Sequence, residues 1–140
     1  MKKLLLVGIN ARYTHSNLAL RYLRNFVADL EYKTEISEFS INQDILEILE
    51  QIAIKQPDIL AFSVYIWNTK VITSILPEIK KILLDSKVIL GGPEVSYNPE
   101  KWLSKFPEID FIICGAGEAG LKYLLCTNYY MNPNKAYNNQ

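Results

Sequence analysis

The stretch Lys87-Val-Ile-Leu-Gly-Gly-Pro-Glu94 decides the fold that the sequence predicts. Its apolar half is typical of a buried strand, and the pair Gly91–Gly92 follows where that strand would end. Two missing Cβ atoms let another group lie close to the backbone at this point. A second apolar run, Ile59-Leu-Ala-Phe-Ser63, ends in a serine, and the single histidine, His15, follows a first apolar run. We therefore expect a ligand near these strand ends.

Hydrophobic periodicity along the rest of the chain alternates between strand and helix. The predicted strands cover residues 3–9, 33–40, 58–65, 87–91 and 110–114. The predicted helices cover residues 18–30, 44–55 and 69–84, and two more begin at Pro99 and Glu118. Since mostly apolar strands alternate with helices, we expect a parallel sheet covered on both faces. The prediction is a flavodoxin-like (Rossmann-like), doubly wound α/β fold of three layers, with a five-stranded parallel sheet in the order 2-1-3-4-5.

The folded domain is expected to span residues 1–126. Residues 127–140 hold five asparagines and three tyrosines without periodicity, so we expect a flexible tail or linker stub there. The first helix is expected to bury one face through Ala19, Tyr22, Leu23, Phe26 and Leu30.

The composition of the 140-residue chain argues against several classes of partner. Its 15 basic and 15 acidic side chains balance, and no basic stripe is present, so neither nucleic acid nor an anionic membrane is an expected partner. No segment approaches the ~18 apolar residues of a membrane span. The two cysteines form neither a disulfide framework nor a zinc spacing, which favours a reducing cytoplasm.

In a doubly wound sheet, ligands bind outside the carboxyl ends of the strands. The loops predicted at that edge carry almost every unusual residue, and they cover Asn10–Asn17, Tyr65–Asn68, Gly91–Asn98 and Gly115–Glu118. The first of these loops does not fit a dinucleotide fingerprint, since it reads Gly8-Ile-Asn-Ala-Arg-Tyr. A Walker loop is absent, and the strand ends lack the acidic residues of a phospho-acceptor receiver. Thr14-His15-Ser16 makes only a poor phosphate loop for flavin mononucleotide, so a flavodoxin-like module that binds FMN, another nucleotide or a partner protein stays open.

The arrangement of His15, Ser63 and Gly91–Gly92 resembles the cobalamin-binding fold of methionine synthase, the B12 mutases and B12-dependent radical SAM enzymes. That fold carries Asp-x-His-x-x-Gly, then Ser-x-Leu, then Gly-Gly. Here Tyr13 replaces the aspartate and Leu18 replaces the first glycine, whereas the serine and the glycine pair are kept. The resemblance implies cobalamin as cofactor, with its nucleotide tail buried between the sheet and its helices.

Three longer phrases resemble the N-terminal domain of B12-binding radical SAM proteins, and the resemblance covers residues 3–126. They are Asn10-Ala-Arg-Tyr-Thr-His-Ser-Asn-Leu-Ala-Leu-Arg21, Leu90-Gly-Gly-Pro-Glu-Val-Ser96 and Asp110-Phe-Ile-Ile-Cys-Gly-Ala-Gly-Glu118. The last phrase is usually Gly-Glu-Gly-Glu in that family, from which Ala116 departs.

On this resemblance, Ser63 bonds the base of the tail, the glycine pair lets the tail pass, and Tyr65 and Trp67 contact the corrin. His15 is either the lower cobalt ligand, and so the one metal-binding residue, or a loop histidine beside the pocket. No catalytic residue is expected in this chain. The full set of expected cofactor-binding residues is Asn10, Tyr13, His15, Ser16, Ser63, Tyr65, Trp67, Gly91, Gly92, Pro93, Glu94, Gly115, Gly117 and Glu118.

The same resemblance implies methyl carriage in a B12-dependent radical SAM enzyme of the methyltransferase type. A radical SAM domain binds its [4Fe–4S] cluster and S-adenosylmethionine through a Cys-x-x-x-Cys-x-x-Cys motif. Cys114 and Cys126 are too few and wrongly spaced for that motif. We therefore expect the radical SAM domain downstream in a longer polypeptide, from which this chain is truncated, or on a separate chain that a stand-alone carrier would serve.

Overall fold

The computed structural model describes residues 1–12, 17–128 and 135–139. Its single sheet is parallel throughout, in the order β2-β1-β3-β4-β5-β6. The strands are β1 Lys2–Asn10, β2 Tyr32–Ser40, β3 Ile59–Ser63, β4 Lys87–Gly91, β5 Phe111–Gly115 and β6 Lys135–Asn139. The predicted flavodoxin-like order 2-1-3-4-5 of the first five strands is confirmed.

Helices cover both faces of the sheet, which gives the three predicted layers. They are α1 Leu18–Phe26, α2 Ile45–Lys55, α3 Thr69–Ile82, α4 Pro93–Ser96, α5 Pro99–Lys105 and α6 Gly117–Thr127. Because side chains alternate along a strand, β1 sends Leu4 and Leu6 to one face and Leu5 and Val7 to the other. The first face packs against α1 and α6, and the second against α2 and α3.

The first helix differs from its prediction in length and in phase. It ends at Phe26, and its one fully buried residue is Leu20, whereas Tyr22 and Phe26 of the predicted apolar face are exposed. The reason lies in β1, where a Cβ atom on Gly8 would stand 2.6 Å from Leu20 Cδ1. The missing side chain of Gly8 therefore makes room for Leu20, and this contact sets which face of the helix meets the sheet.

The segment predicted as a tail contains a sixth strand. β6 pairs with β5 along its whole length, from Phe111 opposite Lys135 to Gly115 opposite Asn139. The prediction relied on the lack of aliphatic residues, but an edge strand is held by main-chain hydrogen bonds that need no aliphatic side chain. The preceding helix also runs one residue past the predicted boundary, to Thr127, and Asn128 ends it in the left-handed conformation (φ 54°).

The amino ends of the strands are fastened by a half-buried ion pair. Asp110 Oδ2 accepts from Lys80 Nζ at 2.7 Å and from the Val88 amide at 2.8 Å. Lys80 Nζ also donates to the carbonyl of Ser86 at 2.6 Å. These bonds join α3 to the starts of β4 and β5, so they fix the register of the strands at the end remote from the predicted site.

Candidate functional site

Two spaces open at the carboxyl ends of the strands, the edge that the sequence predicts. The first is a cleft of about 670 Å³, lined by Asn10, Ala11, Arg12, Asn17, Leu18, Tyr65 and Trp67. The second is a narrow cavity of about 50 Å³ between the sheet and helices α1 and α6. The cavity is lined by Leu6, Leu20, Leu23, Ala61, Phe62, Ser63, Ile89, Gly91, Gly92, Ile113, Gly117 and Leu121.

A stacked aromatic pair forms one wall of the cleft. The rings of Tyr65 and Trp67 lie 4.4 Å apart between centroids, with only 4° between their planes. The side chain of Trp67 is 47% exposed. An exposed aromatic face of this kind offers a flat, apolar surface to a flat ligand.

Asn68 anchors the loop that carries this pair. Its side chain is buried, with only 1% of its surface exposed. Its amide nitrogen donates to the carbonyls of Ile9 (3.1 Å) and Ser63 (3.0 Å), and its oxygen accepts from the Tyr65 amide at 2.8 Å. One side chain therefore joins the ends of β1 and β3 to the aromatic loop. Sequence reasoning missed this role, since an asparagine before a helix is ordinarily its N-cap, and here it makes no side-chain cap bond.

The two glycines at the end of β4, Gly91 within the strand and Gly92 just after it, differ in what their surroundings require. Gly92 has φ +103°, and a Cβ atom there would stand 2.6 Å from the oxygen and 2.8 Å from the nitrogen of Val64. The chain's own backbone therefore demands glycine at this position, apart from any ligand. A Cβ on Gly91 would meet only the Ile113 oxygen, at 3.9 Å, so Gly91 is not demanded by packing. The sequence analysis interprets both glycines in the same way, whereas the structure distinguishes them.

Ser63 places a hydroxyl at the wall of the narrow cavity. It is half-buried at the end of β3, opposite Gly91 in the register of the sheet. None of the described residues hydrogen-bonds this hydroxyl, whereas the Ser63 carbonyl already accepts from Asn68. The hydroxyl is therefore available to a group that enters the cavity.

The loops after β4 and β5 are held together by Ser96, which sequence reasoning did not select. Its hydroxyl donates to the Gly92 carbonyl at 2.9 Å and accepts from the Gly115 amide at 3.3 Å. Gly117, just beyond, lines the narrow cavity. Four other predicted residues line neither of the two spaces, namely Pro93 and Glu94 in α4, Gly115 at the end of β5 and Glu118 in α6.

Three predicted residues, Tyr13, His15 and Ser16, lie outside the described part of the chain, so the role of His15 at cobalt stays a prediction. The described residues on either side are held by Glu38 of β2. Its Oε1 accepts from the Asn17 amide at 2.5 Å and from Asn10 Nδ2 at 3.3 Å, and its Oε2 pairs with Arg21 at 3.3 Å. The alternating pattern of β2 predicts an edge strand with one polar side. Nothing in that pattern indicates that Glu38 makes these three contacts.

The described residues offer little for metal ligation or covalent catalysis. Within residues 1–12, 17–128 and 135–139, no group of three or more His, Cys, Asp or Glu side chains is placed to hold a metal ion. Burial, with a smaller contribution from Glu100, raises the pKa of the Cys114 thiol, which disfavours the nucleophilic thiolate. Across the same part of the chain, the helices lack the length and apolar character needed to span a bilayer.

Comparison with known proteins identifies the family of this domain. The family model described as the B12 binding domain matches residues 4–125. The chain belongs to the B12-binding domain family. This confirms the resemblance that the sequence motifs indicated, and cobalamin is the cofactor of this family.

The relatives of this B12-binding domain are much longer proteins. It is 28% identical over 134 residues to the cobalamin-dependent radical SAM methyltransferase TokK of Streptomyces tokunonensis, covering 94% of this chain and 20% of TokK. Among solved structures it resembles the cobalamin-dependent S-adenosylmethionine radical enzyme OxsB, with a TM-score of 0.74, 20% identity, and coverage of 92% of this chain and 19% of OxsB. A cobalamin-binding protein from Desulfitobacterium hafniense matches with a TM-score of 0.62 and 17% identity, over 91% of this chain and 58% of that protein. The domain thus spans about a fifth of the length of TokK and OxsB.

The residues present fit a cobalamin. The open cleft with its stacked pair, Tyr65 and Trp67, suits a broad, flat macrocycle. The narrow cavity, apolar except for the Ser63 hydroxyl, matches the chemistry of the base at the end of a nucleotide tail, and at about 50 Å³ it must widen to admit one. Both spaces lie at the carboxyl edge of one sheet, where this fold binds its ligands.

Proposed function

We propose that this domain binds cobalamin as the corrinoid-carrying part of a B12-dependent radical SAM enzyme of the methyltransferase type. The observation that carries the proposal is the pairing of two different spaces at one sheet edge. A wide aromatic cleft lies beside a narrow apolar cavity, on whose wall the Ser63 hydroxyl has no partner among the described residues. A corrinoid has these two parts, a flat ring and a tail that ends in a base.

Each residue of the site has a binding task in this proposal. Trp67 and Tyr65 support the flat ring from the cleft wall, while Asn68 holds their loop in place. Ser63 donates a hydrogen bond to the base of the tail, and the bare backbone at Gly91 leaves the cavity wall unobstructed. When bound, cobalamin supplies a cobalt centre that can carry a methyl group. The domain itself binds and orients the cofactor and excludes water from the tail.

The radical chemistry requires groups that this chain does not supply. Its two cysteines, Cys114 and Cys126, cannot make a three-cysteine site for a [4Fe–4S] cluster. We propose that a radical SAM domain provides the cluster and S-adenosylmethionine, either on the same polypeptide or on a partner chain. The length of TokK and OxsB, about five times the matched part, supports this arrangement. Both cysteines are unpaired, which favours a reducing cytoplasm as the place of action.

The binding proposal is tested with hydroxocobalamin and the purified domain. After mixing and desalting, we expect the visible absorption of the corrin to stay with the protein. Trp67→Ala removes the exposed stacking surface and is expected to weaken binding about three- to tenfold. Ser63→Ala removes one hydrogen bond and is expected to weaken binding by a similar factor, about two- to tenfold.

Matched controls separate these effects from general damage. Tyr22→Ala removes an exposed aromatic ring of α1 that lines neither space, and Ser74→Ala removes an exposed hydroxyl of α3. Both controls are expected to bind like the unaltered domain. If no corrin absorption is retained by the unaltered domain, or if the controls lose as much affinity as the site variants, the proposed function is wrong.

A further inference from the structure

We propose that two copies of this domain associate through the face formed by α2, α3 and α5, with the acidic α2 of each copy seated in a basic groove of the other. These helices cover the same side of the sheet, since each contributes to the apolar core that contains Leu5 and Val7. They lie side by side with α3 in the middle, because they follow β2, β3 and β4 in turn. This side is opposite to the narrow cavity, so the proposal does not rest on the proposed function.

The groove between α3 and α5 combines aromatic rings with positive charge. It has a volume of about 200 Å³ and is lined by Thr69, Thr73, Lys101, Trp102, Lys105 and Phe106. The half-buried rings of Trp102 and Phe106 lie 5.7 Å apart between centroids, and Lys105 Nζ lies 5.6 Å from the centroid of Phe106. Within the described residues, neither lysine forms an ion pair and no acidic side chain lines the groove.

The size of this groove favours protein side chains over a small molecule as its occupant. Pockets that bury a small ligand usually measure about 300–1,000 Å³. A cavity of about 150 Å³ accommodates one benzene ring, so this groove has room for one large apolar side chain. The lysines at its edge attract carboxylates on either side of that apolar group. The expected occupant is therefore a protein surface that places acidic residues beside exposed aliphatic ones.

The outer side of α2 has this chemistry. Its exposed residues recur at the spacing of one helical face, and they are Leu46, Glu47, Glu50, Gln51 and Ile54. Two large aliphatic side chains, Leu46 (68% exposed) and Ile54 (71% exposed), thus stay in water beside two acids. Glu47 accepts a hydrogen bond from Gln43, but neither acid forms an ion pair within the described part of the chain. This face complements the groove both in charge and in apolar character.

The directions of the helices allow two such contacts to form at once. All three helices run from the carboxyl edge of the sheet toward its amino edge, since each lies between the end of one parallel strand and the start of the next. A two-fold axis parallel to them and beside α3 therefore places the start of α2 in each copy next to the start of α5 in the other. Glu47 and Glu50 are the third and sixth residues of α2. Lys101 and Lys105 are the third and seventh residues of α5, so the two pairs of charges lie at the same level. Because each copy uses the same face, the assembly closes as a dimer.

The small contact area predicts a weak dimer. The two helices that meet have only 11 and 7 residues. We therefore expect each copy to bury less than the ~800 Å² of a standard interface, and the dissociation constant to lie in the micromolar range. Since the charges are exposed, salt should weaken the dimer severalfold.

Sedimentation equilibrium of the purified domain tests the association. Between about 1 µM and about 500 µM protein, we expect the average mass to rise from that of a monomer toward twice that value. A domain that stays monomeric over this whole range overturns the proposal. Neither result depends on whether the domain binds cobalamin.

Charge reversal identifies the two surfaces. Glu47→Lys/Glu50→Lys places like charges opposite the groove and is expected to weaken the dimer at least tenfold. Lys101→Glu/Lys105→Glu should weaken it by a similar factor. Mixed in equal amounts, these two variants should form a mixed dimer with about the affinity of the unaltered domain, because every contact between them again joins opposite charges. A dimer that neither reversal weakens, or a mixture that stays monomeric, overturns the proposal.

A matched control separates this pairing from a general effect of net charge. Asp29→Lys/Glu31→Lys also reverses two exposed acids, but in the turn between α1 and β2, outside the proposed face. We expect this variant to dimerise like the unaltered domain. A chain that carries all four reversals of the proposed face should also dimerise, which excludes unfolding as the cause of the earlier losses. If the control weakens the dimer as much as the reversals on α2, the pairing of α2 with the groove is wrong.

Discussion

The two ends of the sheet are held together by different kinds of contact. At the amino end, the carboxylate of Asp110 pairs with Lys80, and Ser86 donates to the Pro57 carbonyl. At the carboxyl end, the buried polar side chains are the neutral ones of Asn68 and Ser40, and large apolar side chains stay exposed, including Ile66 (77%) and Leu18 (75%). On the proposed function this difference divides the tasks between the ends: the amino end stabilises the fold, and the carboxyl end binds the ligand.

The largest expected effect concerns a residue at the carboxyl end that acts within the fold. Gly92→Ala places a Cβ atom 2.6 Å from the Val64 oxygen at a positive φ, so the backbone must shift. We expect the free energy of unfolding, measured by urea denaturation, to fall by about 3 kcal/mol. Gly91→Ala is the control and is expected to change it by less than about 1 kcal/mol while weakening cobalamin binding. Equal losses of stability would contradict the distinction between these glycines.

A somewhat smaller effect is expected at the amino end. Asp110→Ala removes the carboxylate from Lys80 and from the Val88 amide, which leaves a half-buried cation and an unpaired amide. Because water still reaches Lys80, we expect a loss of about 2 kcal/mol in unfolding free energy, below the range for a fully buried pair. Cobalamin affinity should not change. Asp85→Ala, at an exposed position, serves as the control. A loss of cobalamin affinity in Asp110→Ala would contradict the separation of the stabilising end from the binding end.

Asn68→Ala is expected to affect both stability and binding. The substitution leaves the carbonyls of Ile9 and Ser63 and the amide of Tyr65 without their partner, for a loss of about 1–2 kcal/mol. Since the same side chain holds the aromatic loop, cobalamin affinity should fall as well, by about tenfold. The exposed Asn42→Ala should alter neither quantity. If Asn68→Ala loses stability but keeps its full affinity for cobalamin, the aromatic loop is positioned without Asn68.

The smallest effect is a dependence on pH. A hydrogen bond from Lys3, opposed in part by burial and aided by the charges of Lys3, Lys55 and Lys33, lowers the pKa of Glu35. A lowered pKa in the folded state means that this carboxylate stabilises the fold above its ordinary pKa of about 4.3, and that the contribution is lost as the pH falls further. We expect this carboxylate to contribute less than about 1 kcal/mol to the free energy of unfolding. Unfolding curves at pH 7 and pH 3.5 should differ less for Glu35→Gln than for the unaltered protein, and an unchanged difference would contradict this.

Periodicity was sufficient to predict the first five strands, because buried parallel strands must be apolar, and the usual connections of a doubly wound sheet then gave their order. It was also sufficient to place Ser63, Tyr65 and Trp67 at the carboxyl end of β3, although Ser63 lines the narrow cavity and the two aromatic residues line the cleft. The phase of α1 was wrong because the contact between Leu20 and Gly8 joins two segments that periodicity treats separately. The role of each predicted residue toward the cofactor stays a prediction.

Several residues of the site could not be predicted because their roles depend on partners far along the chain. Asn68 donates to the carbonyl of Ile9, and Glu38 accepts from the amide of Asn17. The local sequence around Asn68 and Glu38 therefore does not indicate what either residue does. The strand β6 was missed for a related reason. Its pairing with β5 relies on main-chain groups, which every sequence has, so composition carries no sign of it.

The placement of Trp67 gives the domain an optical reporter of its own. The sequence has two tryptophans, and the other, Trp102, packs against the core on the face of the sheet away from the narrow cavity. A corrin that lay on the Tyr65–Trp67 stack would quench the fluorescence of the nearer indole much more than that of the distant one. Emission spectra of Trp67→Phe and Trp102→Phe would therefore show, without any label, at which face the cofactor arrives.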